Sequence, residues 1–287
     1  MKILVTGYKG FIGSHVYNRF REFGHDVEGY DYDESYGCIP YVSDYDTVIH
    51  LGAISSTTEQ NVPKIFLHNY DFSIKLYREC VAYRVNFQYA SSASVYGDLS
   101  IFSEDGEARP LNPYAWTKFM FDKFVTEVEP SDRISCQGFR YFNVYGTGED
   151  HKGDQASVFT KFREQGIKEG SIKLFEDSDK YKRDFVCVDD VVEVHKQMLW
   201  KNVSGIFNVG TGTATSFQKV ADLCSKKLGV NIEYITMPDN LKGQYQEYTR
   251  ADNSKINSIV DIKWTTPKQW IEANLNAVED IRKSAYT

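Results

Sequence analysis

The chain has 287 residues, 41% of them hydrophobic, enough for one large α/β domain or a nucleotide domain with a smaller lobe. Its formal charge is −7 and its sequence pI about 5.5, with no dense Lys/Arg run, which argues against nucleic acid as a partner. Five scattered cysteines (Cys38, Cys80, Cys136, Cys187, Cys224) without a CxxC pair point to a reduced, cytoplasmic protein with no structural zinc; neither a signal peptide nor a membrane span is expected.

Lys2 to Thr6 is a short apolar run ending at glycine and predicts a buried strand. Phe11 to Phe23 has helical spacing, with Gly24 as its stop. Val27 to Asp31 and Thr47 to Leu51 read as the second and third strands, Lys64 to Arg84 as a helix, Phe87 to Ala90 as a strand and Tyr114 to Val128 as a helix. This alternation predicts an α/β fold with a doubly wound parallel sheet, the Rossmann arrangement. Only 15 residues separate Asp31 from Thr47, too few for the usual elements there, so one crossover is predicted to be trimmed.

Beyond Arg140 the pattern is less regular. Phe185 to Val188, Gly205 to Val209 and Ile232 to Ile235 read as strands, and Phe217 to Leu228 as an amphipathic helix with Ser216 as N-cap. The expected organisation is a cofactor-binding domain of residues 1–145 plus about 184–212. A smaller mixed α/β substrate lobe would take about 146–183 plus 213–287.

Gly7, Gly10 and Gly13 fall between the first strand and the first helix. Glycines there allow a tight turn and close backbone approach to a pyrophosphate, which the free amides of a helix N-terminus then hold. Asp31 closes the next strand, 18 residues after Gly13, where a carboxylate can bind ribose hydroxyls. The sequence predicts a dinucleotide, NAD or NADP. Asp33, Glu34, Asp44 and Asp46 disfavour a 2′-phosphate, whereas Lys9 favours one, and the choice stays open.

Tyr114 and Lys118 lie four apart on a predicted helix and share one face. A free phenol titrates near about 10, too high for a base at neutral pH. A neighbouring ammonium and the positive nicotinamide ring would stabilise the phenolate. Ser92 follows a strand and can hold the substrate oxygen. The three together can take a proton from an alcohol while hydride leaves for the cofactor.

Gly7-x-x-Gly10-x-x-Gly13, Ser91-Ser92-Ala93-Ser94-Val95-Tyr96-Gly97 and Asn112-Pro113-Tyr114-Ala115-Trp116-Thr117-Lys118 resemble the extended short-chain dehydrogenase/reductase family. Within it the chain is most similar to the branch of ADP-glycero-manno-heptose 6-epimerases. That similarity is carried by His50 to Glu59, Gly138 to Gly146, Gly148 to Gly153, Lys182 to Val186 and Leu241 to Gln246. It implies transient oxidation of a nucleotide-activated sugar to a ketone and re-reduction on the other face. Tyr114 and Lys152 would be the two bases, with NADP the family's cofactor.

The resemblance also implies a wider cofactor site: Phe11, Ile12, Tyr32, Leu51, Gly52, Ala53, Ser55, Asn69 and Val144 beside the glycines, Asp31, Tyr114 and Lys118. Ser92, Asn143, Asp154, Lys161, Phe175, Glu176, Asp177, Ser178, Arg183 and Tyr245 would meet the nucleotide sugar. Arg183 has its own rationale, since guanidinium pairs with diphosphate; the alternative is a local ion pair with Asp184. A homo-oligomer, a pentamer, is implied as well.

Two positions depart from the family pattern: Asp154 stands where serine is usual, and Lys161 replaces a substrate-contacting histidine. These make a shifted substrate plausible. The competing readings are a nucleotide-hexose 4-epimerase or 4,6-dehydratase and, in another class, a non-catalytic NAD(P)-binding scaffold. Ala93 and Ser94 stand where a dehydratase usually carries acid, and a scaffold has no need of Ser92, Tyr114 and Lys118.

Overall fold

The computed structural model describes residues 1–32, 37–238 and 246–278. Its contacts divide the chain into two compact units. One comprises Met1–Tyr141, Val191–Val209 and Asp252–Ile262, the other Phe142–Asp190, Gly210–Ala251 and Lys263–Thr287.

The first unit opens as the sequence predicts: β1 (Lys2–Thr6), α1 (Phe11–Glu22), β2 (Asp26–Tyr30) and β3 (Thr47–His50). Two helices follow, α2 (Val62–Phe66) and α3 (Phe72–Tyr83), then β4 (Asn86–Ser92), α4 (Pro113–Lys123) and β5 (Cys136–Tyr141). The helix predicted as continuous from Lys64 to Arg84 contains a π turn, Leu67–Asp71, between α2 and α3. A second π turn, Phe124–Val128, ends the α4 run. π turns often mark functional sites, and the first of these carries Asn69.

After β5 come β6 (Asn143–Tyr145), α5 (Val158–Glu169), β7 (Ser171–Phe175), β8 (Lys182–Cys187) and α6 (Val188–Met198). Then follow β9 (Gly205–Val209), β10 (Ala214–Ser216), α7 (Phe217–Leu228), β11 (Asn231–Ile235), α8 (Ser254–Asn257) and α9 (Pro267–Asn274). Ser216 caps α7 by accepting from the Lys219 amide, as expected of it.

In the first unit six strands form one parallel sheet in the order β2-β1-β3-β4-β5-β9. Alternate residues of β1 feed two cores. Leu4 packs with Phe72, Leu76, Phe87 and Phe121 of the α3/α4 side, whereas Ile3 and Val5 pack with Val16 and Phe20 of α1 and Val192 of α6. Helices therefore cover both faces, and the strand order turns back on itself between β1 and β3.

The trimmed crossover is plain: residues 37–46 contain neither helix nor strand, and β2 ends the sheet order. Val42 is nonetheless fully buried in the core. Asp46 ties the segment to the start of β1, accepting from the Lys2 amide at 2.7 Å.

The second unit holds a three-stranded sheet, β10-β8-β6, and a parallel pair, β11-β7. Its core is aromatic. Tyr145 and Phe159 stack at 3.9 Å between centroids, with Trp270 and Phe185 edge-on.

Candidate active site

A parallel sheet concentrates unpaired strand ends and helix N-termini at one edge, and the crevice opens where the strand order reverses. In the first unit that place lies beyond Thr6 of β1 and His50 of β3. Gly7 takes φ +68°, and a Cβ there would lie 2.5 Å from the Gly52 backbone. At Gly13 a Cβ would lie 2.0 Å from the Gly7 carbonyl oxygen, so the turn closes onto α1 only with glycine at both positions.

A cavity of about 260 Å³ opens here. Seven of the expected cofactor residues line it: Gly7, Gly10, Asp31, Tyr32, Leu51, Gly52 and Ala53. Thr6, Tyr30, Ile54, Lys64, His68 and Phe72 join them, none singled out from the sequence. The cradle of glycine backbone, the N-terminal turn of α1 and the carboxylate of Asp31 fit a dinucleotide.

The acids that argued against a 2′-phosphate are placed differently. Asp46 binds the Lys2 amide at the start of β1, the opposite end from the glycine turn, and Asp44 is exposed and accepts from the Ser43 hydroxyl. Asp33 and Glu34 lie outside the described residues. Lys9 sits over the Tyr8 ring at 5.8 Å and does not line the cavity.

The cavity floor is a buried polar chain. Thr6 Oγ1 and His50 Nδ1 are 2.6 Å apart, His50 Nε2 and Ser73 Oγ 2.8 Å, and the Ser73 hydroxyl donates to the Asn69 carbonyl at 2.8 Å. With Ser73 donating onward, Nε2 must carry the imidazole proton and Nδ1 must accept from Thr6. Burial, with Lys118 nearby, pushes His50 down to about 3, so it is neutral. The Asn69 side chain then clamps Ile54, accepting from its amide at 2.8 Å and donating to its carbonyl at 2.9 Å. Asn69 thus shapes the loop wall without lining the cavity. Phe11 is buried, Ile12 packs in the α1 core and Ser55 is exposed.

The second part of the site is built where α4 crosses β4. Asn112 caps α4, accepting from the Ala115 amide at 2.9 Å, and Pro113 occupies the first turn. Tyr114 follows directly, and its phenol is hydrogen-bonded to Ser92, the last residue of β4. Ser92 Oγ also accepts from Ser94 Oγ at 2.9 Å and from the Ser94 amide at 3.2 Å. One turn on, Lys118 is buried; its ammonium donates to the Ala90 carbonyl at 2.8 Å and lies 5.9 Å from the Tyr114 ring centre. The structure therefore brings Ser92, Tyr114 and Lys118 together.

Burial is the largest influence on both ionisable groups of the pair. Burial pushes the Tyr114 phenol above its ordinary range, and the Ser92 hydrogen bond only partly offsets this. Burial also pushes Lys118 down to about 8, with Asp122 pulling the other way.

In the second unit Lys152 lies on a 3₁₀ turn, Asp150–Gln155, and its ammonium is 3.0 Å from the buried carboxylate of Glu149. Glu149 also accepts from the amides of Gly146 and Ser157 and from the Ser157 hydroxyl. The two family departures meet: Lys161 Nζ donates to the Asp154 carbonyl at 2.6 Å.

Asn143 is exposed and Val144 half-buried on β6. Phe175 ends β7; Glu176 and Asp177 are exposed beyond it, and Ser178 is buried, donating to the Phe175 carbonyl. Arg183 is buried, donates to the Lys182 carbonyl and lies over the Phe217 ring at 5.5 Å. Asp184 spends its oxygens on the amides of Thr211, Gly212 and Ala251 and the Thr211 hydroxyl. Tyr245 lies outside the described residues.

Residues 3–210 match the model of the NAD dependent epimerase/dehydratase family. The chain belongs to that family. Among solved structures it is similar to the ADP-L-glycero-D-manno-heptose-6-epimerase of Helicobacter pylori, at 26% identity and TM-score 0.82, covering 94% of each chain. It is similar also to the UDP-glucose 4-epimerase of Thermotoga maritima, solved with UDP-glucose, at 25% identity and TM-score 0.82 over 99% of this chain and 100% of that one. MoeE5 in complex with UDP-glucose and NAD matches at 25% identity and TM-score 0.79 over 99% and 100%. The extended short-chain dehydrogenase/reductase resemblance read from the motifs thus holds over residues 3–210. Among the described residues no helix of this epimerase/dehydratase family member is long and apolar enough to cross a membrane.

Proposed function

We propose that this protein is an NAD(P)-dependent epimerase of a nucleotide-activated sugar, with ADP-glycero-manno-heptose 6-epimerisation as the first candidate reaction. The observation that carries the reading is the contact of Ser92 with Tyr114 over the buried ammonium of Lys118, in the same unit as the glycine cradle.

Gly7, Gly10, Gly52 and Asp31 would hold the dinucleotide, which when bound accepts a hydride from the sugar carbon and returns it. Ser92 orients the reacting hydroxyl. Tyr114 takes the hydroxyl proton as hydride leaves, and Lys118 supports the phenolate. The second unit would hold the nucleotide sugar, with the Arg183 guanidinium suited to its diphosphate. Lys152 is the candidate second base, and a cytoplasmic homo-oligomer is the expected state.

Asp31 on the cavity wall favours NAD, while Lys64 supplies a cation for NADP; paired titrations with the two decide. A 4-epimerase of UDP-hexoses is the second reading, favoured by the equal TM-score of 0.82 to the Thermotoga maritima enzyme.

The deciding experiment incubates the protein with ADP-D-glycero-D-manno-heptose and separates the C6″ epimers. Interconversion supports the first reading. Its absence, with turnover of UDP- or GDP-hexoses, replaces it with the second, and cofactor binding without any turnover leaves the scaffold.

A further inference from the structure

The face of α4 that carries Tyr114 and Lys118 carries a third polar residue one turn further on, Asp122. Its partners come from β4 in register: the Tyr89 and Ser91 hydroxyls each donate to it at 3.0 Å. Between them the Ala90 carbonyl accepts from Lys118 at 2.8 Å. From β5, Arg140 Nε donates to Asp122 at 2.9 Å in an ion pair whose side chains are 5% and 2% exposed. Arg140 is held in turn by Tyr96 Oη at 3.0 Å, and that hydroxyl donates to Asn208 at 2.7 Å.

A buried ion pair is weak evidence for stability, because desolvation consumes most of its attraction. Its placement matters more. The carboxylate sits one helical turn from the Lys118 ammonium, on the side away from Tyr114, where water screens little.

We propose that Asp122 is a positioning residue for the Ser92–Tyr114–Lys118 set: anchored by Arg140, its carboxylate keeps the buried ammonium of Lys118 charged and, through Ser91, holds the strand end that presents Ser92. The functional consequence rests on the epimerase reading; the principal test does not.

The groups around Lys118 leave this task to Asp122. From α4 come Tyr114 and Asp122. From β3 comes His50, which burial keeps neutral. From β4 comes Tyr89 and from β5 Tyr141, phenols that burial pushes well above their ordinary range. Arg140 is the remaining charge and is opposed by Asp122 itself. Among these described groups the negative charge is that of Asp122, and it acts against the burial that depresses Lys118.

The test follows the ¹³Cε resonance of Lys118 against pH in lysine-labelled protein, assigned with Lys118→Met, in wild type, Asp122→Asn and the double variant Asp122→Asn/Arg140→Met. The Lys118 midpoint, near 8 in the wild type, is expected to fall by about one pH unit or more in both variants, a tenfold or greater loss of proton affinity. Other lysines should not move. Asp122→Asn alone leaves Arg140 unpaired and should lower Tm, and the double variant, with both charges removed, should recover it. A wild-type midpoint in the folded double variant overturns the proposal. In a turnover assay Asp122→Asn should lose activity most at high pH; loss by one constant factor at every pH marks a merely structural residue. A wild type inactive on every sugar nucleotide counts against the proposed reaction and leaves the Lys118 titration standing.

Discussion

The backbones of Gly7 and Gly52 approach so closely that a Cβ on Gly7 would lie 2.5 Å from the Gly52 Cα. Two strand ends, β1 and β3, meet at that point and form the lip of the cavity. Gly7→Ala must shift one of them and also pay for φ +68°, about 1–2 kcal/mol for an L-residue before any clash. Stability should drop by about 2 kcal/mol or more and dinucleotide affinity by at least about tenfold, read by thermal unfolding and by fluorescence titration with NADH.

Tyr114→Phe keeps the ring and removes the hydroxyl that meets Ser92. Turnover should fall by about 10²–10⁴-fold, with dinucleotide affinity within about threefold of wild type. Near-normal turnover removes Tyr114 from the role of base.

Lys118 titrates near 8 in the folded protein against 10.5 when exposed. A depressed folded value means that stability contributed by this group is present above the unfolded value and is lost as pH falls through about 8. Lys118→Met should therefore be more stable than wild type at pH 7 by about 1–3 kcal/mol, with the difference closing between pH 8 and 10.5. It should also be catalytically impaired. Denaturant melts across that range check the sign; a variant less stable at pH 7 contradicts it.

Glu149 gathers the Lys152 ammonium, two amides and a hydroxyl around one buried carboxylate. Glu149→Ala strands those donors and should cost about 2–4 kcal/mol. Lys152 should then react several times faster with an amine-directed reagent, measured by mass spectrometry at fixed pH. Unchanged labelling would mean that Glu149 does not restrain Lys152. Lys152→Ala itself should strongly impair epimerisation if Lys152 is the second base.

Features written in short-range spacing were legible without coordinates. The apolar run before Gly7, the glycine spacing, the 3.6-residue pattern of α1, α4 and α7, and the four-residue step from Tyr114 to Lys118 are each set by local backbone geometry. Asp122, a further four residues on the same helix face, was not singled out from the sequence. Spacing cannot show, however, that the face is buried against β4 rather than solvated.

By itself the sequence determined the parallel α/β alternation, the glycine turn and the Ser–Tyr–Lys set, since these follow from chain-local periodicity and from residue types that chemistry restricts. Tertiary structure alone decided which charges share a space. It set Lys64 and His68 on the cavity wall and Asp46 at the far end of β1, and left His50 neutral under the floor. Desolvation depends on how completely distant segments exclude water, and no sequence interval encodes that exclusion.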